Sequence, residues 1–196
     1  RFRISKYSVF EREIWLGPQG KFPLKVFLAE LPGSDVPVFL FHNEHFFDRD
    51  GVYTNPATGE EFPDGAYRYI FFVKACLEFL RLARWRTDIV HCHDSHTALL
   101  PALLRLDPAA AAALEATGSL LTIHNIAYQG LYPPDILPAL ELPTEMFYPL
   151  SPFEYYGKVN MLKVGVVYAD MITTVSERYA AEIQETNEYG CGLEGI

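Results

Sequence analysis

Asp88-Ile89-Val90-His91-Cys92-His93-Asp94-Ser95-His96 is a short apolar run that stops abruptly in histidine and aspartate. Leu120-Leu121-Thr122-Ile123-His124-Asn125 repeats that design and continues as Ile126-Ala127-Tyr128-Gln129-Gly130. Runs of this kind read as buried parallel strands. In open α/β sheets ligands bind outside the carboxyl ends of the strands, so both runs are expected to deliver polar groups to one crevice.

Working outward, strand and helix patterns alternate. Asp64 stands where a helix cap is expected, and Phe72, Cys76, Phe79 and Leu80 recur at helical spacing behind it. After Ser95, residues 97–106 are apolar and helical. Asp107-Pro108, an alanine run and Gly118 form a second short helix, with Asp at the cap and Pro at the first turn. Residues 131–158, rich in proline and aromatics, read as an irregular excursion with at most short helices. Residues 159–169 read as a helix and 171–175 as a strand. Ser176 caps a helix over 177–185, and the tail from Glu188 to Gly195 is a glycine-rich loop. Alternation of this kind predicts a parallel sheet with helices on both faces.

The first forty residues read differently. Residues 7–15 are β-rich, Gly17-Pro18-Gln19-Gly20 is a turn, and 23–31 alternate with Leu24, Val26 and Leu28 on one side, which predicts a hairpin. Val36 to Phe41 is almost wholly apolar and reads as a strand buried on both faces. The expected rim of the sheet is therefore His42-Asn43, His93-Asp94, His124-Asn125 and Ser176. Residues 44–63 form a long polar and aromatic loop, of a length more often functional than connective.

Composition narrows the function. The chain has 196 residues, 49% of them hydrophobic, which indicates a folded core. A formal net charge of -9 offers no basic footprint for nucleic acid. No apolar run approaches the ~20 residues that span a bilayer, and no secretory leader is visible. The chain opens on Arg1-Phe2-Arg3-Ile4 without a methionine and is expected to be the interior of something longer. Cys76, Cys92 and Cys191 are too few and scattered for a disulfide framework; Cys76 and Cys92 read as core residues of a cytoplasmic protein.

Three chemistries fit these residues poorly. A metal at His91, His93, Asp94 and His96 lacks a familiar ligand spacing, and His91 reads rather as a buried histidine satisfied by backbone groups. A nucleophilic Ser95 or Cys92 lacks Gly-x-Ser-x-Gly, and Cys92 should face away from His91 and His93. Gly190-Cys191-Gly192 lacks the context of a phosphate loop and reads as a turn.

Five motifs in order resemble bacterial glycogen synthases and plant starch synthases: Phe47-Asp48-Arg49-Asp50-Gly51-Val52-Tyr53; His91 to His96; Thr122 to Gly130; Tyr168-Ala169-Asp170 with Ile172 to Ser176; and Tyr189 to Gly195. The resemblance implies an α/β fold with a Rossmann-like parallel sheet, flanking helices and an amino-terminal β-hairpin. It would be the partial amino-terminal lobe of a two-lobe (GT-B type) glycosyltransferase, residues 1–196, without the family's Lys-x-Gly-Gly segment and carboxyl-terminal lobe. The implied activity is transfer of glucose from ADP-glucose or UDP-glucose to the non-reducing end of an α-1,4-glucan, with retention and with neither metal nor other cofactor. Asp94 and His124 are the implied catalytic residues; Tyr53, His96 and Asn125 the implied sugar contacts. The expected location is the bacterial cytoplasm, or a plastid if the source is a plant. The chain alone is expected to be inactive and to self-associate through bare strand edges. The alternative from another class is a non-catalytic glucan- or nucleotide-binding module.

Overall fold

The computed structural model describes residues 3–83 and 86–196. Its first part is an antiparallel sheet. β2 (Phe10–Trp15) turns through Gly17–Gln19 into β3 (Lys21–Glu30), with Trp15 opposite Lys21 and Phe10 opposite Val26. This is the expected hairpin. β1 (Arg3–Ile4) and β4 (Pro37–His42) also pair antiparallel with β3. Alternation decides its inner face: Ile14, Leu24 and Val26 are buried, while their neighbours Glu13 and Lys25 are exposed.

β4 departs from expectation. It belongs to this antiparallel sheet, not to the parallel one, and is only half-buried. An apolar run states that a strand will be covered, not which partner it takes. His42-Asn43 therefore leaves the expected rim. Asn43 is buried and local instead: its Oδ1 accepts from Phe46 N at 2.9 Å, capping α1 (Glu44–Phe47), and its Nδ2 donates to Pro23 O at 2.7 Å.

α2 (Gly65–Leu82) packs on this sheet. Phe22–Phe46 and Phe46–Phe71 rings lie 4.8 and 5.0 Å apart, and Phe39–Phe79 rings 4.7 Å. The buried rings among these, Phe46, Phe71 and Phe79, each contribute roughly 1.5–3 kcal/mol of transfer free energy. The expected stripe of Phe72, Cys76 and Leu80 is only half-buried; Ile70, Phe71, Val73, Ala75 and Leu77 are fully covered. α2 is apolar on more than one side because α4 packs on it too. Asp64 precedes the helix but makes no side-chain cap bond. Arg49 takes both its oxygens, at 2.8 and 2.9 Å.

The second part carries the parallel sheet, in the order β10-β6-β5. β5 is Ile89–His93, β6 is Gly118–Ile123 and β10 is Met171–Thr174. Between them run α3 (Asp94–Thr97), α4 (Leu99–Leu106), α5 (Pro108–Ala113) and α6 (Met161–Tyr168). Asp107 caps α5 by accepting from Ala110 N, as expected. α7 (Glu177–Glu185) is capped by Ser176, also as expected, and α8 (Asn187–Gly190) is one turn in the expected tail loop. α6 lies tightly against the sheet: a Cβ on Gly165 would stand 2.6 Å from Ala98 Cβ and 2.9 Å from Leu121 Cδ2.

Among the described residues, helices cover only one face of this sheet. Cys92, Leu121 and Ile123 are buried on the helix side, whereas Ile89, His91, His93, Met171 and Thr173 are exposed on the other. The polar groups of the open face satisfy one another: His91 Nε2 lies 2.6 Å from Thr122 Oγ1, which lies 2.8 Å from Thr173 Oγ1. His91 is thus an exposed residue bonded to a side chain, not a buried one bonded to backbone.

The excursion at 131–158 holds more order than its sequence suggests. β7 (Leu131–Tyr132), β8 (Glu154–Tyr155) and β9 (Lys158–Asn160) form a small antiparallel sheet, with 3-10 turns at Pro134–Leu140 and Thr144–Met146. β9 occupies the start of the segment expected to be helix. Among the described residues no helix is long and apolar enough to cross a membrane.

Candidate functional site

The carboxyl ends of β5 and β6 meet at Asp94. Its Oδ1 accepts from the backbone N–H of His124 at 2.7 Å and from that of Asn125 at 3.4 Å. One carboxylate oxygen therefore ties two neighbouring strand ends together, as the paired motifs implied. Among the described residues Oδ2 has no hydrogen-bond partner. Asp94 has φ +55°, in the left-handed region that a non-glycine residue adopts at a cost. Aspartate tolerates that conformation better than most residues, and an observed strained position at a strand end is a functional signal.

Asp94 lines a cleft of about 770 Å³, together with Tyr53, His96 and Asn125 and with residues 127–132 of the loop after β6. His96 stands between two tyrosines, its ring centroid 5.0 Å from that of Tyr53 and 4.6 Å from that of Tyr69. Burial pushes its pKa below the ordinary 6.5, which favours the neutral ring, while Asp94 and Glu61 oppose that shift. His96 thus supports Tyr53 as well as flanking Asp94. Asn125 Oδ1 accepts from Ala127 N at 3.0 Å, which shapes the turn after β6. Ile126 N–H donates to Tyr179 OH at 3.0 Å, holding that turn to α7.

His124 sits at this rim by its backbone, but its ring does not line the cleft. It faces the open side of the sheet, with Nε2 3.0 Å from His93 Nδ1. Asp94, His96, Tyr53 and Asn125 therefore share one cavity, with the His124 side chain beside it.

The cleft also holds groups that the sequence did not single out. Glu61 Oε1 accepts from Tyr132 OH, and Tyr69 closes the wall behind His96. They come from three separate segments: Glu61 from the loop before α2, Tyr69 from α2 and Tyr132 from β7. The loop bearing Tyr53 is anchored rather than free: it contains α1 and a bridge between Thr54 and Glu61. Arg68, buried in α2, donates to Val52 O from below. Arg49 stacks over Phe62 with 4.8 Å to the ring centroid. The only sequence signal for this scaffold was Arg49 inside the Phe47-to-Tyr53 motif.

Cysteine chemistry finds no support here. Burial drives the thiols of Cys76 and Cys92 up to about 12, and Cys92 faces away from His91 and His93. Among the described residues no three or more His, Cys, Asp and Glu side chains are grouped to hold a metal ion.

Comparison with known proteins gives a consistent picture. A family model for the starch synthase catalytic domain matches residues 3–196. A glycogen synthase 2 from Geobacter sulfurreducens is 44% identical over 172 residues, covering 88% of this chain and 35% of the relative. A glycogen synthase from Koribacter versatilis is 48% identical over 151 residues, 77% of this chain and 30% of the relative. The catalytic domain of starch synthase IV from Arabidopsis thaliana, solved with ADP and acarbose, superposes with a TM-score of 0.78 at 26% identity. That match covers 99% of this chain and 38% of the other. The chain spans about a third of the length of the curated relatives it matches. The α/β fold expected from the motifs, with its parallel sheet and amino-terminal hairpin, stands as part of a GT-B catalytic domain. The chain belongs to the starch synthase catalytic domain family.

Proposed function

We propose that residues 1–196 are part of the amino-terminal lobe of a glycogen or starch synthase. The complete protein transfers glucose from ADP-glucose or UDP-glucose to the non-reducing end of an α-1,4-glucan, with retention of configuration and the nucleotide sugar as its only small-molecule requirement. The observation that carries this reading is Asp94, one oxygen fixed across two strand ends and the other open at an aromatic-walled cleft. The relative solved with ADP and acarbose, an oligosaccharide, supports both ligand classes.

In this mechanism Asp94 Oδ2 accepts a sugar hydroxyl or faces the positive charge that develops at the anomeric carbon. Glycosyl transfer passes through an oxocarbenium-like state, so a positioned carboxylate stabilises it. His124 acts at the same rim, through its backbone or ring. Tyr53 offers a face for a sugar ring, with His96 holding it. Asn125 shapes the turn that carries the sugar contacts. The location follows the family, bacterial cytoplasm or plastid. The 196-residue chain alone does not transfer glucose, and associates with itself through the outer edge of β5.

The test is a transfer assay on the complete protein with labelled ADP-glucose and UDP-glucose and a maltooligosaccharide acceptor. Elongation by one glucose with either donor supports the reading. Maltooligosaccharide binding without transfer by the complete protein would favour the module reading and overturn this one.

A further inference from the structure

Three histidines form a contiguous group on the open face of the parallel sheet, outside the cleft. His91 and His93 are two residues apart on β5 and stack with ring centroids 4.2 Å apart. His93 pairs in register with Thr122, and His124 lies two residues beyond Thr122 on the same face. The His93 and His124 rings have centroids 5.2 Å apart and approach through Nδ1 and Nε2 at 3.0 Å.

Both backbones are clamped. His93 N–H donates to Thr97 Oγ1 at 2.6 Å, and the Thr97 hydroxyl donates back to His93 O at 2.8 Å. His124 N–H donates to Asp94 Oδ1. At 3.0 Å one proton must lie between the two nitrogens; two protons would repel and none would leave two lone pairs opposed. The observed pair of atoms lets both imidazoles keep their intrinsically favoured Nε2–H tautomer, with His124 as donor and His93 as acceptor. The reverse arrangement would force both rings into the disfavoured tautomer.

We infer that His93 is a positioning residue for His124: its Nδ1 accepts the His124 Nε2 proton, orients that ring at the rim beside the cleft, and leaves His124 Nδ1 as an acceptor for the hydroxyl of a substrate that extends from the cleft over that rim. The last step rests on the proposed function; the proton assignment does not. The groups facing the pair are His91, Thr122 and Asp94. Burial, then His91 and His124, lower the pKa of His93, which keeps it an uncharged acceptor at neutral pH, while Asp94 opposes that shift.

The test uses the ¹⁵N-labelled 196-residue chain and two-bond ¹H–¹⁵N spectra, with His124 assigned by its loss in His124→Gln. His93 is exposed, so substitution spares the core. In the unsubstituted chain His124 is expected as Nε2–H, with that proton shifted downfield and slow to exchange. His93→Asn, which places an amide oxygen near the Nδ1 position, retains the slow proton; His93→Phe loses it. In the complete protein His93→Phe lowers kcat about tenfold with KM nearly unchanged, the lower range for a misoriented group, and His93→Asn recovers most of it. A His124 Nδ1–H tautomer, or an unchanged slow proton in His93→Phe, overturns the assignment. Unchanged kcat in His93→Phe overturns the positioning role. Absence of transfer by the unsubstituted complete protein overturns the functional reading and the role in transfer with it, while the spectra still decide the proton.

Discussion

Asp94 does two physical jobs that substitution can separate. Its carboxylate accepts from two backbone amides, and its backbone sits at φ +55°. Asp94→Ala removes the acceptor and keeps a Cβ in the left-handed region. The shorter bond, 2.7 Å to His124 N, lies in an exposed setting where water can replace it. Its loss is therefore worth about 1 kcal/mol, the ordinary value for a hydrogen bond and below the range for a fully desolvated charged partner. Placing alanine where aspartate was tolerated adds about 1 kcal/mol. Asp94→Ala should thus destabilise by about 2 kcal/mol. Asp94→Gly loses the same bonds but relieves the backbone, and gains unfolded-chain entropy in exchange, for a net of about 0.5–1 kcal/mol. Asp94→Asn keeps an acceptor oxygen and the tolerance for this φ, so it costs about 0.5 kcal/mol. Urea unfolding followed by circular dichroism measures all three. An alanine variant as stable as the asparagine variant, or a glycine variant as unstable as the alanine variant, would refute the reasoning.

Gly165→Ala forces a Cβ to 2.6 Å from Ala98 Cβ and 2.8 Å from Ala98 O. Overpacking near the top of its ~1–3 kcal/mol range, less about 1 kcal/mol of helix propensity, predicts a loss of about 1–2 kcal/mol; a more stable variant would show that α6 has room to move. The pH dependence follows from His93 and His96, whose pKa values are lowered from 6.5 chiefly by burial. The fold favours their neutral forms, so their contribution is complete above pH 6.5 and is lost as pH falls through the lowered values. Asp64, held low by Arg49, and Asp170, held low by Ser119 and then Arg105, add a second loss only below 3.8. An unfolding midpoint unchanged between pH 7.5 and 5 would contradict the histidine part. The outer edge of β5, where Ile89 is exposed, predicts self-association of the chain, and Ile89→Lys should shift light scattering toward the monomer. A clean monomer without the substitution would contradict it.

Much of this architecture was readable where the cause is local. The hairpin of β2 and β3 follows from a turn between alternating runs, and the caps Asp107 and Ser176 follow from helix ends that need acceptors. Asp94 and His124 were visible because a strand that ends in polar residues announces its own rim. Partner choice was not local. The apolar run of β4 was compatible with a buried parallel strand, and only its pairing with β3 made it part of another sheet. Two- and three-residue strands such as β7 and β8 show no period. Asp64 failed as a cap because its competitor, Arg49, lies fifteen residues away in sequence and adjacent in space. The open sheet face was illegible for a related reason: His91, Thr122 and Thr173 come from three strands and satisfy one another only once these align. Glu61 and Tyr132 in the cleft share that origin.

On the proposed function, the Asp94 carboxylate serves the sugar end of a glucosyl-transfer cleft. The most direct measurement compares Asp94→Asn with the unsubstituted complete protein, which limits the structural disturbance while removing the charge. Steady-state transfer from the nucleotide sugar gives kcat, and calorimetric titration with ADP gives nucleotide affinity. In Asp94→Asn kcat should fall on the order of 10²-fold with ADP affinity nearly unchanged. Near-normal turnover in Asp94→Asn, or a loss confined to ADP affinity, would contradict it.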